Sequence, residues 1–170
     1  LPSQVASLGI ALLENTDRLI VTRASPEMFS AVSSIIPDAN YDTVAKTIIV
    51  DRRSEIEPIQ GIVVASAGTA DGPVAQEAIV TCEIMDCEAT PLLDVGVAGI
   101  HRLLANVDVI QKATVIVVVA GMEGALPSVV GGLVKAPVIA VPTSIGYGAS
   151  FEGITPLLAM MNSCSPGVSV

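Results

Sequence analysis

Gly61-Ile62-Val63-Val64-Ala65-Ser66-Ala67-Gly68-Thr69-Ala70-Asp71-Gly72-Pro73 is the stretch that decides the fold. Gly61 to Ser66 reads as a buried strand, and Ala67 to Gly72 as a small-residue loop. Pro73 suits the first position of a helix running to about Met85, because its missing N–H has no partner to lose there. The pattern then repeats at regular spacing. Strand-like segments recur near Ala89–Val95, Thr114–Ala120, Pro137–Val141 and Val168–Val170. Helical patterns fill the gaps at His101–Gln111, Ala125–Val134 and Gly153–Asn162. Such alternation is the signature of βαβ units, and it predicts an α/β fold with a doubly wound, mostly parallel sheet in three layers.

Upstream, the pattern is looser. A helix is expected at Ser3–Glu14, a strand at Arg18–Thr22, a helix opened by Ser25-Pro26-Glu27, and a strand at Lys46–Asp51. Arg52 to Ile59 is polar, contains Pro58 and reads as a linker. We therefore expect a small N-terminal α/β unit over 1–58 and a main domain over 59–170. A chain of 170 residues is long enough for one substantial core with a small appended unit.

Composition narrows the function classes. Hydrophobic residues make up 51% of the chain, charged residues 15% and aromatics 2%, with a mean hydropathy of +0.70. The most apolar run, Ala113 to Met122, is about half the length a membrane-spanning helix needs. Its Val and Ile content suits a strand covered on both faces instead. The excess apolar surface points to a parallel sheet plus a subunit interface, so a homo-oligomer is expected. A net charge of −9 argues against nucleic acid as a partner. From Gly61 onward the only cations are Arg102, Lys112 and Lys135. Three cysteines, an odd number, fit a reducing compartment, and the expected location is the cytoplasm. The chain starts at Leu1 without methionine and stops at Val170 within an apparent strand, so both ends are expected to be trimmed.

In an open α/β sheet, ligands bind where strands end and helices begin, and four loops qualify. In Ser66-Ala67-Gly68-Thr69-Ala70-Asp71-Gly72 the small residues allow close backbone approach to an anion, or form a tight turn with Asp71 as helix cap. This loop lacks both the dinucleotide fingerprint and the Walker pattern. Asp94-Val95-Gly96-Val97-Ala98-Gly99-Ile100-His101-Arg102 holds the chain's one histidine beside the main domain's one arginine. These are either a proton shuttle and a phosphate partner, or solvated residues of a helix's first turn. Gly121-Met122-Glu123-Gly124-Ala125-Leu126-Pro127-Ser128 sets a carboxylate between two glycines, either as a base or metal ligand, or as a residue favoured by the next helix dipole. Pro142-Thr143-Ser144-Ile145-Gly146-Tyr147-Gly148-Ala149-Ser150-Phe151 carries an aromatic between glycines, which can cover a flat ligand or plug a subunit contact. Among the cysteines, Cys82 and Cys87 fall in a helical pattern, where small buried side chains are expected. Cys164, in Asn162-Ser163-Cys164-Ser165-Pro166-Gly167, lies in a polar loop between a helix and a strand at the sheet edge.

Taken together, these segments resemble the LarB family of nickel-pincer cofactor biosynthesis proteins. That family's catalytic domain is similar to PurE, the mutase that carboxylates aminoimidazole ribonucleotide. The resemblance is carried by Ala65–Asp71, Asp94–Arg102, Val119–Leu133, Val141–Ala149 and Met161–Cys164, and more loosely by residues 1–58. The family continues with a Gly/Asn/Asp-rich segment beyond the point where this sequence stops. The resemblance implies a PurE-like, flavodoxin/Rossmann-type domain and an octamer. It also implies an enzyme that carboxylates the pyridinium ring of nicotinic acid adenine dinucleotide and cleaves its phosphoanhydride. The products would be pyridinium-3,5-biscarboxylic acid mononucleotide and AMP.

By position, the resemblance implies that Cys164 is the covalent nucleophile, with Glu123 and Asp71 as acidic catalytic residues and His101 as a weaker base. Ser66, Gly68 and Thr69 fall in the loop around a mononucleotide phosphate. Arg102, Gly121, Met122, Gly124, Ser144, Tyr147 and Gly148 complete the expected substrate contacts. Carbon dioxide or bicarbonate is the co-substrate, and Mg²⁺ is expected to assist phosphoanhydride cleavage, with no ligand set assigned. A thiolate has a chemical purpose here, because an electron-poor pyridinium cannot attack carbon dioxide until a nucleophile has added to it. The thiol follows a helix C-terminus, which disfavours a thiolate, so reactivity is expected chiefly once the cationic ring is bound. Two alternatives stay open. An aminoimidazole-ribonucleotide mutase would take its histidine from a Ser-Ala-His-Arg sequence, whereas here Gly99-Ile100 precedes His101-Arg102. A non-catalytic nucleotide-binding subunit would tolerate Cys164→Ser.

Overall fold

The structure, a computed structural model, describes residues 1–170. Its first unit sets two helices against a three-stranded antiparallel sheet. The elements in chain order are α1 (Pro2–Leu13), β1 (Arg18–Val21), α2 (Pro26–Ser33), β2 (Asn40–Asp42) and β3 (Thr47–Asp51), with sheet order β1-β3-β2. Ser25 caps α2 by accepting the amide of Met28 at 3.3 Å. Ala6, Leu19, Val32, Ile36, Ile48 and Val50 close a small core of their own. Strand β2 is absent from the sequence reading because three residues give no periodicity. It is held by Tyr41, which stacks on Phe29 with ring centroids 5.3 Å apart and donates its hydroxyl to the Ala24 carbonyl at 2.8 Å.

The second unit contains β4 (Ile59–Ser66), α3 (Gly72–Ile84), β5 (Cys87–Leu92), α4 (Ile100–Leu104), α5 (Val107–Gln111) and β6 (Val115–Ala120). It continues with α6 (Leu126–Leu133), β7 (Val138–Pro142), α7 (Ile154–Met161) and β8 (Val168–Ser169). All five strands are parallel, in the order β5-β4-β6-β7-β8. This is the flavodoxin-like order, in which the chain leaves the first strand in one direction and returns on its other side.

Period-two alternation divides the sheet between two cores. Val63, Ala65, Ile116, Val118, Ala120, Val138 and Ala140 pack with Leu103, Ile110, Leu126, Val130 and Met160. Val64 and Val119 point the other way, onto Ala75 and Ile79 of α3. Cover on that second face is incomplete. Ile139 of β7 remains 44% exposed, and Ile154, Leu158 and Met161 line an exposed apolar stripe on α7.

Two expectations change. The helix read over His101–Gln111 is two short helices, because the Asn106 side-chain amide donates to the Arg102 carbonyl at 2.9 Å and interrupts the ladder. Cys87 is not helical: α3 stops at Ile84, Asp86 takes a left-handed φ of 63°, and Cys87 opens β5. The segment read as a linker is irregular from Arg52 to Pro58 and is anchored at Arg53. Arg53 donates to Asp51 at 2.7 Å and to Asp86 at 2.8 Å, Arg18 also reaches Asp86 at 3.3 Å, and β4 already begins at Ile59. Two arginines of the first unit thus grip the end of α3. Gly61, with φ 94°, marks a bulge in β4 where an added Cβ would lie 2.6 Å from the Thr114 hydroxyl.

Candidate active site

The loops after β4, β5, β6 and β7 meet over the carboxyl end of the sheet, beside the switch point between β4 and β6. They enclose a pocket of about 450 Å³ lined by 17 residues. Its floor is backbone. Gly96 packs on the first loop so closely that a Cβ would stand 2.5 Å from the Ala67 carbonyl oxygen, to which the Gly96 amide donates at 2.7 Å. A Cβ on Gly121 would overlap the Ile145 carbonyl, which accepts the neighbouring Met122 amide at 2.9 Å. Small residues are therefore required at these two seams by contact.

Asp71 is the keystone of the pocket wall. It is buried, and its carboxylate accepts the Gly68 amide at 2.9 Å and the Thr143 hydroxyl at 2.7 Å. The side chain does not cap α3, as one reading of the sequence had it. It closes its own loop and ties that loop to the one after β7. Thr143 went unassigned in the sequence because a threonine at a strand end carries no signal for such a bond.

Glu123 stands at the apex of a tight turn. Met122 and Gly124 both take left-handed conformations, φ 53° and 67°, and the Gly124 amide donates to the Gly121 carbonyl at 2.9 Å. The Glu123 carboxylate is exposed and lines the pocket. Tyr147, 81% exposed, stands at the rim. Gly68, Thr69, Asp71, Gly121, Met122, Glu123 and Tyr147 are thus brought together, with Val97, Ala98, Leu126, Ile145 and Gly146 as apolar or small lining that lay in the quoted loops without an assigned contact.

The remaining expected residues lie elsewhere. Ser66 is buried behind the first loop, where its hydroxyl accepts the Asp94 amide at 3.2 Å. Gly124 faces α7, where an added Cβ would meet Pro156 Cα at 2.8 Å. Ser144 and Gly148 are exposed beside the pocket without lining it. His101 projects from α4 into solvent, and Arg102 is engaged by Asp94 in an ion pair. Neither reaches the pocket, whose lining from this loop ends at Ala98.

Cys164 is exposed, but it too is outside the pocket lining. Its loop leads into the amino end of β8, whereas the pocket lies at the carboxyl ends of the strands. The loop is fixed along the side of α6: the Ser163 and Ser128 hydroxyls share a hydrogen bond at 2.8 Å, and Ser165 donates to the Ser128 carbonyl at 2.6 Å. The other two thiols are half-buried, and burial pushes the Cys82 thiol above its ordinary pKa, with Cys87 and Glu83 adding to the shift.

Charge in the pocket comes from Asp71 and Glu123, and no lysine or arginine lines it. No group of three His, Cys, Asp or Glu side chains able to hold a metal ion occurs in the chain. With Asp71 committed to Gly68 and Thr143, the lining offers Glu123 as its one free carboxylate. That suits a Mg²⁺ held mainly by phosphate oxygens and not a protein-built cage. No helix is long and apolar enough to cross a membrane.

Comparison with known proteins agrees with this geometry. A family model described as AIR carboxylase matches residues 61–170, the whole parallel-sheet unit. A second, described as the LarB/PurE-like N-terminal domain, matches residues 1–53. The uncharacterized protein MJ0165 of Methanocaldococcus jannaschii is 48% identical over 136 residues, covering 78% of this chain. The chain spans about half the length (52%) of that curated relative. With a LarB-type N-terminal domain preceding a PurE-like parallel sheet, the chain belongs to the LarB type of the AIR carboxylase family, a family of carboxylases and mutases.

Proposed function

We propose that this protein carboxylates the pyridinium ring of nicotinic acid adenine dinucleotide and cleaves its phosphoanhydride, giving pyridinium-3,5-biscarboxylic acid mononucleotide and AMP. One observation carries the choice over the purine-type reaction. The pocket presents Glu123 on a glycine-flanked turn under an aromatic rim, while the chain's histidine points to solvent away from it. A base for an aromatic ring proton is present, and a histidine for the mutase reaction is not in place.

The Cys164 thiolate adds to the ring carbon para to nitrogen, which converts the cationic ring into a neutral dihydropyridine. The electron pair of its enamine forms the carbon–carbon bond to carbon dioxide from the free meta carbon, leaving an iminium and a carboxylate. Glu123 takes the proton from that carbon and restores the enamine, whose electron pair then expels the thiolate and returns the aromatic cation. Water completes phosphoanhydride cleavage, and Mg²⁺ would supply charge neutralisation on the phosphate oxygens when bound. Gly68, Thr69 and their neighbours hold the mononucleotide phosphate through backbone, as small residues at a helix entrance allow.

Cys164 lies along α6 outside its own pocket, so in this reading the thiol is delivered to the pocket of a neighbouring protomer. The open Ile139 face and the apolar stripe on α7 support a homo-oligomer that would do so. Incubation with nicotinic acid adenine dinucleotide, bicarbonate and Mg²⁺, followed by mass spectrometry, tests the activity. A gain of one carboxyl group with release of AMP is expected, and absence of both would sink the proposal. Reassembly of mixed oligomers from Cys164→Ser and Glu123→Gln subunits tests the geometry. Recovered activity from two inactive parents is expected, whereas mixtures as inactive as their parents would place thiol and base in the same protomer.

A further inference from the structure

The pocket poses a charge problem: two carboxylates, no cation, and a ligand class rich in phosphate. A second cleft, of about 330 Å³, answers it at the seam between the two units. Pro73 and Val74, in the first turn of α3, form one wall, two residues beyond the point where the pocket lining ends at Asp71. Arg23 and Lys46 of the first unit form the other. Glu77 closes the far side, leaving the cleft positive overall.

These two cations differ from the rest. Arg18, Arg52, Arg53 and Arg102 are each engaged by a carboxylate, whereas Arg23 and Lys46 have no carboxylate partner. Lys112 lies in a different groove, and Lys135, beyond the end of α6, is not among the residues that line this cleft. Both Arg23 and Lys46 are held in left-handed backbone, each at φ 53°, which is uncommon for residues with a Cβ. Their turns are stitched together by the Ala24 amide donating to the Lys46 carbonyl at 2.7 Å. The Asp42 carboxylate accepts the Val44 and Ala45 amides, each at 2.8 Å, and the Gln76 side-chain amide of α3, also at 2.8 Å. The first unit is therefore docked with its two unpartnered cations at the start of α3, the end of that helix that favours an anion.

We propose that this cleft is a phosphate subsite, taking the phosphate on the adenylate side of a dinucleotide whose other half occupies the neighbouring pocket. The proposal rests on the reading of that pocket as a nucleotide site. The first unit then supplies the cations that the acidic sheet unit lacks, across the start of α3.

Calorimetric titration of the protein and its Arg23→Gln/Lys46→Gln variant with AMP, adenosine and nicotinic acid mononucleotide tests the idea without turnover. The wild-type protein is expected to bind AMP well above adenosine. The double variant should lose at least tenfold in AMP affinity while nicotinic acid mononucleotide binding changes less than twofold. Unchanged AMP affinity in the variant, no AMP binding by the wild type, or equal weakening of both mononucleotides would overturn the subsite. Both side chains are exposed, so Lys46→Gln alone, expected to weaken AMP severalfold, decides the matter if the double variant does not fold. Failure of the carboxylation assay beside a selective loss of AMP binding would instead leave the subsite standing and remove the reaction.

Discussion

Asp71→Ala is the substitution on which the description of the pocket wall depends most. The carboxylate is buried and accepts two hydrogen bonds, from the Gly68 amide at 2.9 Å and the Thr143 hydroxyl at 2.7 Å. Hydrogen bonds to a charged group contribute about 1.5–3 kcal/mol each, and here both donors would be left without a partner. The expected loss is therefore roughly 3–6 kcal/mol of folding free energy. For a chain of this size that is a fall in melting temperature of roughly 6–24 °C. Thr143→Val removes one of the two bonds at nearly constant volume, so about half of that loss is expected. The double variant should show a coupling of about 1.5–3 kcal/mol, because the Asp71–Thr143 bond can be lost only once. Urea unfolding followed by far-ultraviolet circular dichroism gives all four corners of the cycle at one protein concentration. An Asp71→Ala variant within about 1 kcal/mol of wild type, or an additive double variant, would refute the reasoning.

Other consequences can be checked as directly. Gly121→Ala places a Cβ onto the Ile145 carbonyl and 2.7 Å from the Thr143 hydroxyl, both anchored, so it should destabilise by about 1–3 kcal/mol and abolish ligand binding. A structured variant with wild-type affinity, measured by calorimetry, would show that the seam can give. Under limiting iodoacetamide, peptide mapping should find Cys164 alkylated first and Cys82 last, since Cys164 is exposed and burial raises the Cys82 thiol; the reverse order would contradict the placement of both. Acid should weaken the first unit. The Arg53 guanidinium beside Asp51 holds that carboxyl below its ordinary range, so its contribution is fully present above about pH 4 and is lost as pH falls through the lowered folded value. Melting temperature should be flat from pH 6 to about 4 and fall below that, with a shallower acid limb in Arg53→Gln; identical limbs would exclude the ion pair as the cause.

The parallel sheet was legible because its evidence is repetitive. Valine- and isoleucine-rich runs followed by small-residue loops and helix-opening prolines recur, so an error at one repeat is corrected by the next. Strand β2 and the break at Asn106 were not legible, since one depends on a tertiary contact of Tyr41 and the other on a single side-chain bond to a local carbonyl. The loops that line the pocket could be read from their position after strands. Which residues within them face inward could not. Ser66 and Asp71 are five residues apart in one loop, yet the first turns to the Asp94 amide and the second to Thr143. The amino-end location of the Cys164 loop could have been deduced, because a loop that precedes a parallel strand lies opposite those that follow one.

The bond between Asp71 and Thr143 joins residues 72 apart, across the intervening strand β6. Loop closure over that separation is slow relative to forming each βαβ unit, so the pocket is expected to mature after the sheet around it. During synthesis the β4 and β6 strands can pair before β7 has emerged, and until then the Asp71 carboxylate has no hydroxyl to meet it. A chain interrupted before Thr143 would keep most of its secondary structure yet expose the apolar lining of an unfinished pocket. Such a species is a natural substrate for chaperones and proteases, which makes this one hydrogen bond a checkpoint on folding as well as a brace.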